Sequence, residues 1–134
     1  MASSNRVLIV HQDKTARRVL GLMLEKEGLQ TLMTHDWDEA WEWVREGMAD
    51  AALIEVSGVG AEYAGSAIAF LQALRLDKGL GNYPVGALCA DRRLGVACLK
   101  AGASVFWEMP VMNEEFQAGV LGLLAGRARE LSNV

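Results

Sequence analysis

Five short apolar runs, each followed by a helical pattern, divide the chain into similar units. The runs are RVLIV at 6–10, LQTLMT at 29–34, AALI at 51–54, VGAL at 85–88 and SVFWE at 104–108. After each run, apolar residues recur at intervals of three and four, which is the period of an amphipathic helix. Strands that alternate with helices of this length predict a parallel sheet covered on both faces. The pattern therefore predicts five βα units.

Capping residues give the predicted helices their bounds. Aspartate or asparagine precedes four of the helical patterns and is a good N-cap, and glycine follows three of them. The caps are Asp13, Asp36, Asp91 and Asn113, and the glycines are Gly28, Gly47 and Gly102. In the first helix the apolar residues Ala16, Val19, Leu20, Met23 and Leu24 recur at intervals of three and four. The third helix is expected from about Ser66 to Leu76, after the glycine-rich loop SGVGAEYAG.

Composition favours one soluble domain over residues 1–134, with a core over about 6–129. The chain is 51% hydrophobic and 22% charged, and it lacks an apolar run long enough to span a membrane. Its N-terminus lacks the apolar core of a signal peptide, so we expect a cytoplasmic protein. A net charge of −4 without a basic stripe argues against direct nucleic-acid binding. Two cysteines, nine residues apart, form neither a disulfide framework nor a zinc motif and predict reduced thiols.

Several segments together resemble a CheY-like response-regulator receiver domain. They are RVLIV followed by the capped TARRVL helix, HDWDEAWEWVREG, LKAGAS and VFWEMP. The resemblance covers nearly the whole chain, from Arg6 to about Arg129. It implies a single doubly wound, flavodoxin-like sheet of five parallel strands in the order 2-1-3-4-5. Ligands of such sheets bind in the crevice at the carboxyl ends of the strands.

The resemblance places altered residues in that crevice. A receiver holds Mg²⁺ with two adjacent acids after the first strand and a phosphoacceptor aspartate after the third, and His11, Gln12 and Glu55 occupy these positions. An imidazole and an amide contribute little to a hard cation that prefers carboxylate oxygens. Asp13 is an acid nearby, but we expect it to cap the first helix. We therefore expect no metal and no other cofactor.

The remaining crevice positions have also changed. Cys89 stands where a receiver has a serine or threonine, and Met109 stands where it has a lysine. Glu55 is one methylene longer than aspartate, which displaces the carboxylate from an in-line attack. Two alternatives use Glu55. It could still be weakly phosphorylatable, or it could imitate a phosphorylated aspartate, although the cation that would pair with it is missing. Phe106 matches the switch aromatic and is expected to be a core residue, and the proline after Met109 implies a cis peptide bond.

Two further hypotheses use the same crevice. His11, Glu55 and Cys89 offer base, carboxylate and thiol, which suits a thiol hydrolase or a Zn²⁺ or Cu site. No nucleophile elbow accompanies them, and we expect no enzyme activity. The second hypothesis is a ligand or redox sensor that uses Cys89 and the loop with Ser57, Gly58, Gly60 and Gly65.

Exposed aromatic and aliphatic residues are the candidate interface. We expect Trp37 and Trp43 of the second helix, Trp107 of the last strand and Leu121 of the last helix to contact partners. Gly119, Gly122 and Gly126 would allow a close approach to the last helix, which makes a homodimer a candidate assembly.

The predicted function is that of an atypical receiver, or pseudo-receiver, in two-component-type signalling. It would act by phosphorylation-independent contact with a partner protein or an effector domain. The tail RARELSNV could continue into a linker or an effector domain, so the chain could also be one part of a longer polypeptide.

Overall fold

The computed structural model describes residues 5–56 and 61–132, with the side chains of 61–64 and 128–132 excepted. It contains five strands and five helices in strict alternation. They are β1 (Arg6–Val10), α1 (Lys14–Glu25), β2 (Gln30–Thr34), α2 (Trp37–Arg45), β3 (Ala51–Glu55), α3 (Ala61–Leu76), β4 (Val85–Cys89), α4 (Arg92–Ala101), β5 (Val105–Glu108) and α5 (Asn113–Ser132).

All neighbouring strands are parallel, and their order is β2-β1-β3-β4-β5. This confirms the predicted CheY-like order. The register aligns the strand ends that border the crevice, because Val10 lies beside Ile54 and Cys89 lies beside Glu108. The residues that follow β1, β3 and β4 therefore meet at one edge of the sheet.

Alternate strand residues enter two separate cores, one on each face of the sheet. One core lies beneath α2, α3 and α4, and its largest members include Leu8, Ile54, Phe70 and Tyr83. The other lies beneath α1 and α5, and its members include Ile9, Leu53, Trp107 and Phe116. Strands buried on both faces explain the nearly continuous apolar runs in the sequence.

The predicted caps are largely confirmed. The side chains of Asp13, Asp36 and Asp91 accept hydrogen bonds from backbone N–H groups of α1, α2 and α4. Gly102 ends α4 with a φ of 120°, a conformation that residues with a Cβ rarely adopt. The predicted start of α3 at Ser66 is wrong, because the helix begins at Ala61 and includes Gly65. Ser57, Gly58 and Gly60 of the glycine-rich loop lie outside the described residues.

The recurring apolar residues of α1 do not all face the core. Val19 is 52% exposed, whereas Leu20 and Leu24 are buried. A run of apolar residues on both flanks of the helix left its inward face ambiguous in the sequence. Leu22, which was not assigned to either side, is exposed as well.

A hydrogen-bond network at the amino-terminal ends of the strands joins the carboxyl-terminal ends of α3 and α4. The Arg75 guanidinium donates hydrogen bonds to the carbonyl oxygens of Gly102, Gly81 and Tyr83, at 2.7, 2.9 and 2.7 Å. The Tyr83 hydroxyl donates to the Ala49 carbonyl at 2.7 Å. This edge is opposite the candidate site and is fixed by polar contacts. None of the described helices is both long and apolar enough to cross a lipid bilayer.

Candidate functional site

His11 opens the crevice immediately after β1, and it acts there as a hydrogen-bond acceptor. It is 9% exposed, and its Nδ1 accepts the backbone N–H of Asp13 at 3.0 Å. Burial lowers the pKa of His11, the Asp13 carboxylate opposes that shift, and Arg17 adds to it. An accepting Nδ1 must be unprotonated, so the geometry and the pKa both favour a neutral ring. The imidazole thus holds the turn between β1 and α1.

The Arg17 side chain covers the same turn from α1. Its guanidinium donates to the carbonyl oxygens of His11, at 2.6 Å, and of Gln12, at 3.3 Å. The Gln12 side chain is exposed, and Asp13 is engaged with Ala16 N–H as the N-cap at 3.0 Å. A fixed positive charge therefore lies against the backbone oxygens of this loop. Sequence reasoning did not assign Arg17 to the crevice, although its position four residues after the N-cap places it one turn above.

Glu55 ends β3 inside the protein and not on its surface. It is 4% exposed and lies in register with Leu88, one residue before Cys89. The next residue, Val56, donates its backbone N–H to the Leu88 carbonyl at 2.9 Å, which extends the ladder past the end of the strand. Because β3 lies between β1 and β4 in the sheet, Glu55 stands between the ends of these two strands.

Cys89 faces α4 and is paired with a second thiol. Both Cys89 and Cys98 are fully buried and belong to the core beneath α2, α3 and α4. The pKa of Cys89 is raised, first by its hydrogen bond with Cys98 and then by burial, with smaller contributions from Asp91 and Glu55. A buried thiol with a raised pKa supplies little thiolate. This pairing could not be predicted from the spacing of the two cysteines, because only the packing of α4 on β4 creates it.

The end of β5 combines an aromatic ring with a glycine of α4. Phe106 is half-buried, and its ring lies over Gly95, where a Cβ would come within 2.2 Å of Cδ1. This agrees with the predicted core role of Phe106. Met109 is half-buried against the core beneath α1 and α5, and the Met109–Pro110 peptide bond is cis, as the resemblance implied.

The residues of the crevice do not fit the magnesium site that the fold implies. Within the described part of the chain, no group of three His, Cys, Asp or Glu side chains is placed to hold a metal ion. His11 already accepts an N–H, and Arg17 brings a cation to the neighbouring carbonyl oxygens. A hard divalent cation would meet one carboxylate and a positive charge, which is the opposite of what it requires.

Trp107 is a core residue, and its prediction as an interface residue is wrong. It is 8% exposed, and its ring contacts Phe116 edge to face at a centroid distance of 5.2 Å. Gly86 and Gly119 make room for the indole, since a Cβ there would lie 2.4 and 2.5 Å from it. The expected role of Gly119 at an interface is therefore also wrong. The short strand is apolar on both faces, so its sequence did not show which aromatic was covered.

The other predicted interface residues have mixed surroundings. Trp37 and Trp43 are half-buried and pack against the core, and the Trp37 ring lies 5.2 Å from that of Phe70. Leu121 is 41% exposed on α5, as expected. Val96 and Leu99 of α4 are also exposed, at 38% and 42%.

A shallow groove lies between α4, β5 and the start of α5. Its volume is about 300 Å³, and it is lined by both charged and apolar side chains, among them Arg92, Phe106, Glu108, Met112 and Glu115. Met112 is 71% exposed at its rim. This surface differs from the crevice in having side chains that a macromolecular partner could reach.

Comparison with solved structures places this architecture among receiver domains. The signal receiver domain of a histidine kinase from Syntrophus aciditrophicus superposes with a TM-score of 0.77 at 26% identity, over 92% of each chain. A CheY-like receiver domain protein from Methanospirillum hungatei gives 0.78 at 20% identity, over 96% of this chain and 99% of that one. The chain has the CheY-like fold.

A third receiver-fold structure has a feature that bears on the crevice. The receiver domain of a sensor histidine kinase from Pseudomonas aeruginosa superposes with a TM-score of 0.78 at 19% identity, over 92% of this chain and 99% of that chain. That structure has a magnesium ion coordinated in its active-site cleft. No protein-family model and no curated protein matches the chain.

Proposed function

We propose that this chain is a pseudo-receiver of two-component-type signalling, which acts through protein contact and without phosphorylation of Glu55. The hydrogen bonding of the turn after β1 carries the proposal. His11 Nδ1 accepts a backbone N–H, and the Arg17 guanidinium occupies two backbone oxygens, so the loop is complete without a divalent cation. Phosphoryl transfer depends on metal ions to neutralise developing charge. In this loop the Arg17 guanidinium already supplies a positive charge.

The position of Glu55 also supports a function without phosphorylation. The residue is 4% exposed, and the half-buried Met109 stands at the end of β5 where a receiver has a cationic partner. A phosphodonor must reach an acceptor oxygen in line, and a misplacement of about 1 Å costs a large part of the rate. A phosphomimetic role is less well supported, because a switch of that kind needs an oriented cation and a hydroxyl. In place of the hydroxyl, Cys89 has a thiol that shares a hydrogen bond with the Cys98 thiol.

The thiol pair favours packing over redox sensing. Reactive cysteines are accessible and have a lowered pKa. The hydrogen bond between the two thiols raises the pKa of Cys89 and lowers that of Cys98, but both side chains are fully buried, and this burial separates them from reactive cysteines. We therefore assign both thiols to the core.

The surface formed by α4, β5 and α5 is the proposed contact surface for an effector or partner protein. It combines the exposed Val96, Leu99 and Leu121 with the groove beside Phe106. Partly exposed aliphatic residues next to charged side chains are typical of protein interfaces with a polar rim.

Beryllofluoride with Mg²⁺ tests the proposal, because it forms a phosphoryl-like adduct on a competent acceptor carboxylate. Amide chemical shifts of the isotope-labelled protein should be unchanged by the two reagents together, apart from weak effects of salt. Glu55→Gln, which keeps the shape but not the charge, is the matched control. A saturable response in the wild type that centres on Glu55 and β5, and that Glu55→Gln abolishes, would contradict the proposal.

The contact surface is tested separately with any effector that is found. Leu121→Asp should weaken effector binding, whereas Leu76→Asp should not, because Leu76 is 85% exposed at the end of α3, outside the proposed surface. Equal effects of the two substitutions would place the contact elsewhere.

A further inference from the structure

A second surface, on the opposite flank of the domain, combines exposed apolar residues with positively charged side chains. Val19 and Leu22 of α1 are each 52% exposed, and Met33 of the edge strand β2 is 37% exposed. Leu22 and Met33 line a groove of about 460 Å³. Large aliphatic side chains grouped on one exposed surface mark an interaction site more often than single ones do. Val19 does not line this groove, so we name Leu22 and Met33, with Lys14 and Arg18, the α1–β2 patch.

Met33 packs across α1 and not along the sheet edge. Its Cε lies 3.0 Å from where a Cβ of Gly21 would be, so glycine at this position lets the methionine lie directly on the helix. The floor of the groove is consequently made by one face of α1 together with the methionine. A partner that buries these apolar atoms must pack against the helix, and an extended strand added to β2 would leave them exposed.

The positive charge on the patch is concentrated on residues that have few partners in the described part of the chain. Lys14, Arg17 and Arg18 line the groove with the single acid Glu25. Arg17 is bound to the loop carbonyl oxygens, while Lys14 and Arg18 make no hydrogen bond or ion pair with any residue that the structure describes. The chain as a whole carries a net charge of −4, so this surface is positively charged although the protein is negatively charged overall.

These basic residues also occupy an unfavourable end of their helix. All three lie in the amino-terminal half of α1, whose first turn contains no acidic residue. The positive end of the helix dipole disfavours cations there. Arg17 is held by the loop carbonyl oxygens, whereas Lys14 and Arg18 have no such partner among the described residues, and an external anionic partner would offset their cost to the helix.

We propose that the α1–β2 patch binds an acidic amphipathic helix of a partner protein. Its apolar side chains would enter the groove beside Leu22 and Met33, as in other helix-in-groove complexes, and its carboxylates would face Lys14 and Arg18. Lys14 and Arg18 are four residues apart and share one side of α1, so carboxylates with the same spacing match them. This inference does not depend on the phosphorylation state of Glu55 or on the surface formed by α4, β5 and α5.

A synthetic helix tests the proposal on the full chain. The probe is a fluorescein-labelled peptide of about 18 residues, long enough for helical structure, with leucine at positions i, i+3, i+4 and i+7 and glutamate between them. We expect saturable binding by fluorescence anisotropy that weakens as salt rises, and amide shifts of the protein that centre on Arg18, Leu22 and Met33. The same peptide with lysine in place of glutamate should bind at least about tenfold more weakly.

Charge-reversal variants separate this site from non-specific attraction. Lys14→Glu/Arg18→Glu should lose at least about tenfold in affinity for the acidic peptide. The control Lys78→Glu/Lys100→Glu changes the net charge equally at two exposed positions elsewhere and should bind like the wild type. Leu22→Ser should also weaken binding. The Tm of the Lys14→Glu/Arg18→Glu variant should be no lower than that of the wild type, which separates lost binding from lost folding.

Several results would overturn the proposal. They are absence of saturable binding by the acidic peptide, equal binding of the lysine peptide, and equal losses in the two charge-reversal variants. Tighter binding to duplex DNA or to phosphatidylglycerol vesicles than to the acidic peptide would assign the patch to a nucleic acid or to a membrane surface instead.

Discussion

Gly119 and Gly122 lie three residues apart on α5 and have different surroundings. A Cβ on Gly119 would approach the Trp107 ring to 2.5 Å at Cζ2, whereas a Cβ on Gly122 would meet no atom within 4 Å. Alanine substitution at the two positions is therefore a matched pair of perturbations. It tests whether Trp107 is packed in the core, as the structure has it, or available at an interface.

The expected effects have opposite signs. Alanine in place of glycine inside a helix stabilises it by about 1 kcal/mol, and this gain applies to both positions. Placing a methyl group into the packed indole costs about 1–3 kcal/mol, because the ring is fixed between Phe116 and Gly86. Gly122→Ala should thus raise the free energy of unfolding by about 1 kcal/mol. Gly119→Ala should lower it by up to about 2 kcal/mol.

Urea denaturation followed by far-UV circular dichroism measures both changes without relying on the altered indole. The Trp107→Leu background adds a decisive control, because Gly119→Ala should become less destabilising once the larger ring is removed. If Gly119→Ala stabilises the protein as much as Gly122→Ala does, Trp107 is not packed against α5 and the description of this core is incorrect.

Three further predictions concern the crevice and the opposite edge of the sheet. Burial lowers the pKa of His11 below its ordinary value of 6.5, so the unfolded chain binds that proton more readily, and stability should fall as the pH drops below this value. In His11→Asn, whose side-chain oxygen can still accept the Asp13 N–H, the free energy of unfolding should depend less on pH over this window, and an unchanged pH dependence would contradict the assignment. Arg75→Met should lower the free energy of unfolding by about 2–4 kcal/mol, because it removes the donor to three carbonyl oxygens; a loss below about 1 kcal/mol would show that the network contributes little. Cys89 and Cys98 should react with a maleimide at least about a hundredfold more slowly in the native protein than in urea, since both are fully buried, and rapid native labelling would revive the redox hypothesis.

The sequence was sufficient for the fold because local signals agreed with one another. Apolar runs gave the strands, and Asp13, Asp36 and Asp91 marked helix starts that the structure confirms as caps. The resemblance to receivers supplied the strand order, which periodicity alone could not have given. The start of α3 was missed because glycine between Glu55 and Ser66 reads as a loop, although Gly65 lies within the helix.

The site was less predictable, because its character depends on tertiary contacts. The positions of His11, Glu55 and Cys89 followed from the strand ends, but the bonds that define their roles did not. Arg17 reaches the crevice from α1, and Cys98 reaches Cys89 from α4. The burial of Trp107 likewise depends on two glycines from other elements. Residue type and spacing locate such groups, and only packing decides what each one touches.

Intact-protein mass spectrometry after incubation with acetyl phosphate and Mg²⁺ tests the central claim most directly. Because the turn after β1 is completed by His11 and Arg17 without a metal ion, we predict no phosphoryl adduct on the wild-type chain and the same spectrum for Glu55→Gln. A magnesium-dependent adduct on the wild type that is missing from Glu55→Gln would contradict the account.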